Sequence, residues 1–217
     1  MKDYQAILFD LDGTLLNTSI GVMESVEYTI DKLGYEKLPP EAVKRFVGPP
    51  IQDSFVREYK VSKEEAQKGA NIFRDYYKKE GLLKAEPYDN LYEFFELLKK
   101  QGKKMAVATY KRHDYAMKIL EHFHISDYCD SMNGADNENV LTKADIVVKC
   151  MEECGVTDRS KVVLIGDSEY DAIGAKGVGI DFIGVTYGFG FKTKEDVNQY
   201  ENVAAADSVA ELIELFK

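Results

Sequence analysis

Ala6-Ile7-Leu8-Phe9-Asp10-Leu11-Asp12-Gly13-Thr14 runs a short apolar segment directly into two carboxylates one residue apart. A brief apolar run bounded by turn chemistry reads as a buried strand, so the acids stand at the strand's mouth. Two like charges about 4 Å apart repel by roughly 4 kcal/mol at an effective dielectric near 20. Such a pair calls for a cation or a shared proton, and the spacing predicts metal-assisted chemistry.

Working outward, the same pattern of apolar strand followed by helix recurs. Met105-Ala106-Val107-Ala108-Thr109 precedes Ala116, Met117, Leu120 and Phe123, which share one helical face. Val162-Val163-Leu164-Ile165 leads into Gly166-Asp167-Ser168 and a helix through Lys176. Phe182-Ile183-Gly184-Val185 comes next, then a weak strand near Val203-Ala204 and a closing helix with Val209, Leu212, Ile213 and Phe216. Strands that are apolar throughout and alternate with helices define a parallel sheet covered on both faces, an α/β fold with a Rossmann-like core. Ser208-x-x-Glu211 and Thr142-x-x-Asp145 match capping boxes, and Gly102 and Gly155 stand where helices end.

Residues 18–82 read differently, with helical patterns and no convincing strand. Val22, Met23, Val26, Ile30 and Leu33 form one stripe ending at Gly34. Further helices are expected after Pro39-Pro40, after Gly48-Pro49-Pro50, and from Ser62-x-x-Glu65 to Gly81. The expected organisation is a core of residues 1–17 and 83–217 with an all-helical cap, 18–82, inserted after the first strand and hinged beside the acidic loop.

The chain has 217 residues, 45% of them hydrophobic, and 28 Lys and Arg against 38 Asp and Glu, a net charge of −10. That balance argues against nucleic acid or an anionic membrane as the main partner. No apolar stretch approaches a membrane span, and Met1-Lys2-Asp3-Tyr4-Gln5 leads straight to the first strand, so a cytoplasmic protein is expected. Cys129, Cys150 and Cys154 form no CxxC pair; the last two lie on a helical stripe with Ile146, Val147 and Met151 and read as packing residues. His113, His122 and His124 have no further ligand nearby in the sequence and read as packing or surface residues.

Ligands of open parallel sheets bind beyond the carboxyl ends of the strands. Strand one ends at Asp10 and Asp12, another at Thr109-Tyr110-Lys111, a third at Asp167 and Asp171, and Lys143 opens a helix that reaches the same rim. Hard carboxylate oxygens suit Mg²⁺, with Mn²⁺ also admitted, and the ion, Lys143 and Thr109 would offset the charge of a phosphate. That combination specifies phosphoryl transfer. Tyr187-Gly188-Phe189-Gly190, with glycines at alternate positions, reads as a flexible turn.

With these motifs in order, the chain resembles a haloacid dehalogenase superfamily hydrolase with a helical cap, of the phosphoglycolate phosphatase-like group, over essentially its whole length. The resemblance rests on DxDGT at 10–14, Thr109, Lys143, GDxxxD with Asp167 and Asp171, the Gly48-Pro49-Pro50 turn and Tyr187-Gly188-Phe189-Gly190. It implies a two-step hydrolysis with Asp10 as nucleophile and Asp12 as acid and base. It also implies Mg²⁺ held by Asp10, the Asp12 carbonyl and Asp167, with Asp171 acting through water or by orienting Lys143. Thr109, Tyr110 and Lys143 would bind phosphate, joined by the backbone N–H groups of Gly13 and Thr14; Arg45 and Lys111 are candidates for contacting an anionic substrate. Asn17, Tyr110 and Ala144 depart from the usual pattern. The expected partner is a small phosphorylated metabolite such as phosphoglycolate, a nucleoside monophosphate or a sugar phosphate, handled by a monomer or homodimer. A β-phosphoglucomutase-type phosphomutase, a 5'-nucleotidase and, remotely, a non-catalytic phospho-acceptor module are the alternatives.

Overall fold

The computed structural model describes residues 1–136 and 140–217. They form two compact units, one of Met1–Leu16 with Pro87–Lys217 and one of Asn17–Glu86.

The first unit contains a six-stranded sheet. Its strands are β1 (Ala6–Phe9), β4 (Lys104–Arg112), β5 (Ser131–Ala135), β6 (Val162–Gly166), β7 (Asp181–Val185) and β8 (Ala204–Ala206), in the order β5-β4-β1-β6-β7-β8. Every pairing between neighbours is parallel. The remaining strands, β2 (Leu16–Asn17) and β3 (Glu86–Pro87), pair with each other where the chain passes between units. Helices α5 (Leu91–Lys100), α6 (His113–His122), α7 (Lys143–Glu153), α8 (Glu169–Val178), α9 (Lys194–Val197) and α10 (Val209–Phe216) complete this unit.

Side chains alternate across a strand, so parity decides which layer each residue meets. Ala6, Leu8, Ala106, Ala108 and Leu164 join Ile146, Val147, Ala172 and Ala175 in the core beneath α7 and α8. Phe9, of opposite parity, points to the other face and meets Phe94 and Phe95 of α5 edge-on, with centroids 6.0 and 5.7 Å away. Cys150 and Cys154 are buried in the first of these layers, as their stripe predicts. The expected strands are present. The weak one falls at Ala204–Ala206, beside β7, one residue later than its apolar signal. Strand β5 had no such signal because Ser131-Met132-Asn133-Gly134-Ala135 is polar, and its polarity is met by Glu153, which accepts from Ser131 Oγ at 2.6 Å and Asn133 Nδ2 at 2.7 Å.

Helix α7 has the full capping box of Thr142 and Asp145. The Ser208 box is half formed: Ser208 Oγ accepts from Glu211 N–H, but the Glu211 carboxylate accepts from Asp207 N–H and pairs with Lys194 instead. Gly102 and Gly155 both take φ of 69°, as helix-ending glycines do.

The second unit is helical: α1 (Ser19–Leu33), α2 (Pro40–Lys44), α3 (Ile51–Tyr59), α4 (Lys63–Tyr76) and a π-helical turn, Tyr77–Gly81. Ser62 and Glu65 cap α4 reciprocally. Gly21 of α1 abuts the turn so closely that a Cβ would overlap the Gly81 carbonyl, a backbone atom with little room to yield. Gly21→Ala is therefore expected to destabilise the protein by about 1–3 kcal/mol despite alanine's better helix propensity, read as a lower urea midpoint. A midpoint at or above the parent's would contradict that packing. Among the described residues, no helix is long and apolar enough to cross a membrane.

Candidate active site

Extending β1 by one residue of the Ala6-Leu8 parity brings Asp10 under α7 and α8, and Asp10 N–H still joins the sheet through Ile165 O at 2.9 Å. There it meets Lys143, the first residue of α7, and Asp171, in the first turn of α8. Lys143 Nζ lies 2.6 Å from Asp10 Oδ1 and 2.6 Å from Asp171 Oδ1. Asp171 Oδ2 accepts from Ser168 N–H and Oγ, closing the cap of α8. Both Asp171 oxygens are thus engaged in holding Lys143 and the helix start. Gly166 and Gly174 make room: a Cβ at the first would overlap the Asp171 carboxyl and at the second the Lys143 stem.

Asp167 follows β6 and is buried with this group. Oxygens of Asp10, Asp167 and Asp171 lie within 4.8 Å of one another. Three carboxyls and one ammonium leave an excess of negative charge in a buried space. Burial, reinforced by Asp171, Asp167 and Asp12 against the pull of Lys143, pushes the Asp10 carboxyl up to about 8. Burial and the Asp171 charge push Asp167 up to about 7, against the amides of Gly190 and Phe189 that stabilise its ionised form. Burial disfavours the Lys143 ammonium, but Asp10 and Asp171 outweigh it and raise its pKa. Such a cluster is suited to hold a hard cation.

Asp12 stands just beyond the strand, where Lys111 Nζ approaches both its oxygens, at 2.8 and 3.0 Å. Lys111 is only 8% exposed in its side chain, so it is part of this buried group and not a solvated surface lysine. Thr109 is buried, and its Oγ1 accepts from Lys111 N–H at 3.1 Å. The Tyr110 hydroxyl accepts from Lys143 N–H at 2.7 Å and its ring meets Tyr170 edge-on, so the side chain braces the start of α7.

One expectation is corrected. Gly13 N–H donates to Leu16 O at 2.9 Å and Thr14 N–H to Leu11 O at 3.3 Å, so the tight turn consumes the two amides expected to face a phosphate. What Thr14 offers is its hydroxyl, buried without a hydrogen-bond partner. A second correction concerns Tyr187-Gly188-Phe189-Gly190: its Phe189 and Gly190 N–H groups bind Asp167 Oδ2, at 2.6 and 3.0 Å, so it is a built part of the site and not a free turn. Sequence reasoning also passed over Ser168, whose side chain anchors Asp171. Arg45 lies at the end of α2 in the helical unit, where its guanidinium forks Glu58 at 2.8 and 3.2 Å.

This geometry has counterparts. The family model of haloacid dehalogenase-like hydrolases matches residues 7–185. A 5'-nucleotidase of Pseudomonas aeruginosa is 29% identical over 86% of this chain and 85% of its own. Pyrophosphatase PpaX of Halalkalibacterium halodurans is 28% identical over 98% and 97%. A phosphoglycolate phosphatase of Vibrio parahaemolyticus is 28% identical over 99% and 96%. The crystal structure of a predicted phosphatase from Clostridium acetobutylicum superposes with a TM-score of 0.88 at 35% identity, over 97% of each chain. The chain belongs to the haloacid dehalogenase-like hydrolases. Within that family it is a phosphatase, a phosphoric monoester hydrolase.

Proposed function

We propose that the protein is a Mg²⁺-dependent phosphomonoesterase that hydrolyses a small phosphorylated metabolite through a phosphorylated Asp10. The observation that carries this reading is the burial of Asp10, Asp167 and Asp171 around Lys143 at the carboxyl ends of β1 and β6. A carboxylate oxygen of Asp10 attacks phosphorus as the ester P–O bond breaks, and Asp12 gives the departing oxygen its proton. Asp12 then takes a proton from water, whose oxygen attacks the phosphorus of the acyl phosphate, releasing phosphate and restoring Asp10. Lys143 and Thr109 hold phosphoryl oxygens, and Lys111 orients Asp12 or the substrate's own anionic group.

The donor set fits a hard divalent cation: oxygen ligands only, with negative charge in excess. Asp10, Asp167 and the Asp12 carbonyl would hold it, while Asp171 is left to Lys143. Once bound, the ion supplies positive charge opposite the phosphoryl oxygens. Residues 18–82 serve in this reading as the cap that selects the leaving alcohol, and Arg45 is assigned to the structure of that unit through Glu58. Phosphoglycolate and nucleoside monophosphates are the first substrates to try, because relatives of this chain are named phosphoglycolate phosphatase and 5'-nucleotidase. The reading carries with it a cytoplasmic location and a monomer or homodimer.

Phosphate release from p-nitrophenyl phosphate is expected to stop in EDTA and to return with excess Mg²⁺. Turnover that persists in EDTA would contradict the ion's role, and isomerisation of a sugar phosphate without phosphate release would point to a mutase.

A further inference from the structure

The segment Tyr187-Gly188-Phe189-Gly190 directs consecutive amides at one residue. Phe189 and Gly190 N–H donate to Asp167 Oδ2 at 2.6 and 3.0 Å, and Phe191 N–H donates to the Asp167 main-chain oxygen at 2.7 Å. Both ends of the segment are pinned. The Tyr187 hydroxyl donates to Thr14 O at 3.1 Å and its ring meets Tyr88, centroids 4.6 Å apart. Phe191 is buried, against Phe182 and Tyr200. The glycines are required by space and not by φ: a Cβ at 188 would overlap the Asp167 carboxyl and the Gly13 carbonyl, and one at 190 would overlap the Asp167 main chain. Gly13 has the same constraint from the other side, facing the Asp167 carboxyl and the Phe189 ring. Asp167 is thus clasped between the turn that follows Asp12 and the segment that follows β7.

We infer that residues 187–190 are a positioning element for Asp167: two amides claim Oδ2, fix the plane of the carboxyl group and present Oδ1 as the single oxygen offered to a divalent cation. The inference rests on the reading of Asp167 as an ion ligand. Groups that orient a ligand in this way commonly matter by about 10–100-fold in metal affinity. Asp171, by contrast, gives Oδ2 to Ser168 and lays Oδ1 2.6 Å from the Lys143 ammonium.

The test titrates Mn²⁺ into the metal-free full chain and follows loss of the free-ion electron paramagnetic resonance signal, a readout independent of turnover. Asp167→Asn is expected to abolish tight binding; parental affinity there would sink the ligand reading and this inference with it. Gly188→Ala is expected to weaken binding by about tenfold or more, with the parent's circular dichroism. A folded Gly188→Ala variant of parental affinity, beside a defective Asp167→Asn, would overturn the positioning role alone. If Gly188→Ala does not fold, Tyr187→Phe decides: it loosens one pin of the segment, a severalfold weakening is expected, and parental affinity overturns the inference.

Discussion

Asp10→Asn is expected to lower phosphate release by about 10⁴-fold or more, because an amide of the same shape cannot form the acyl phosphate. Its stability should move the other way or not at all. Burial, with the neighbouring carboxyls, pushes the Asp10 pKa up to about 8, so in metal-free buffer at neutral pH the folded protein holds this side chain largely protonated. Folding then requires the carboxyl to take up a proton at neutral pH, a cost that a neutral amide does not carry, and Lys143 keeps Asp171 as its partner at 2.6 Å. Loss of turnover with an unchanged or higher melting temperature therefore separates chemistry from folding. A variant that retains parental turnover would end the nucleophile assignment, and one whose activity loss merely follows unfolding would leave Asp10 a structural residue.

Lys143→Met is expected to be the most damaging single change to stability among the site residues. The side chain is 3% exposed, and its ammonium is the group that lies against both Asp10 and Asp171. Methionine fills much of the same space but leaves two buried carboxyls facing each other without a counter-charge. Removing one partner of a buried ion pair typically costs about 3–5 kcal/mol, which for a chain of this size is on the order of 10 °C in Tm. The loss should be largest in EDTA and smaller in excess Mg²⁺, where a cation returns positive charge to the cluster. Calorimetry in both buffers checks this; a variant that melts with the parent in EDTA would show that the carboxyls find relief elsewhere. Turnover should fall as well, since Lys143 is assigned to the phosphoryl oxygens.

The sheet and the principal acids were readable in the sequence because each sheet strand except β5 announces itself by apolar residues and each is followed by its polar payload within a few positions. Asp10 and Asp167 directly follow β1 and β6, as their apolar runs predict, whereas β4 continues past the expected end at Thr109 to Arg112. Strand β5 was hidden because its polar residues are satisfied by Glu153, a partner from another helix that no local pattern discloses. The backbone donors were hidden for a related reason. Whether an amide in Gly13-Thr14 or in Phe189-Gly190 faces inward depends on a turn's hydrogen bonds, and the glycines that mark both segments are compatible with either outcome. Lys111 could not have been placed by parity, because the pairing of β4 with β5 shifts register between Thr109 and Arg112, and its engagement of Asp12 depends on how the acidic turn curls beyond β1.

The middle position of β1 has a consequence for how the chain is made. Ala6 lies opposite Lys104 on one side and Val162 on the other, so the segment that leads to Asp10 leaves the ribosome long before either neighbour exists. Residues 17–86 form a compact unit of their own that is complete far earlier, and contacts close in sequence form fastest. Until Gly166 has been synthesised, Ile7, Leu8 and Phe9 are an apolar strand with an open edge, the kind of segment that pairs with whatever chain is near. Chains truncated before that point should be the ones that depend on chaperones and aggregate without them.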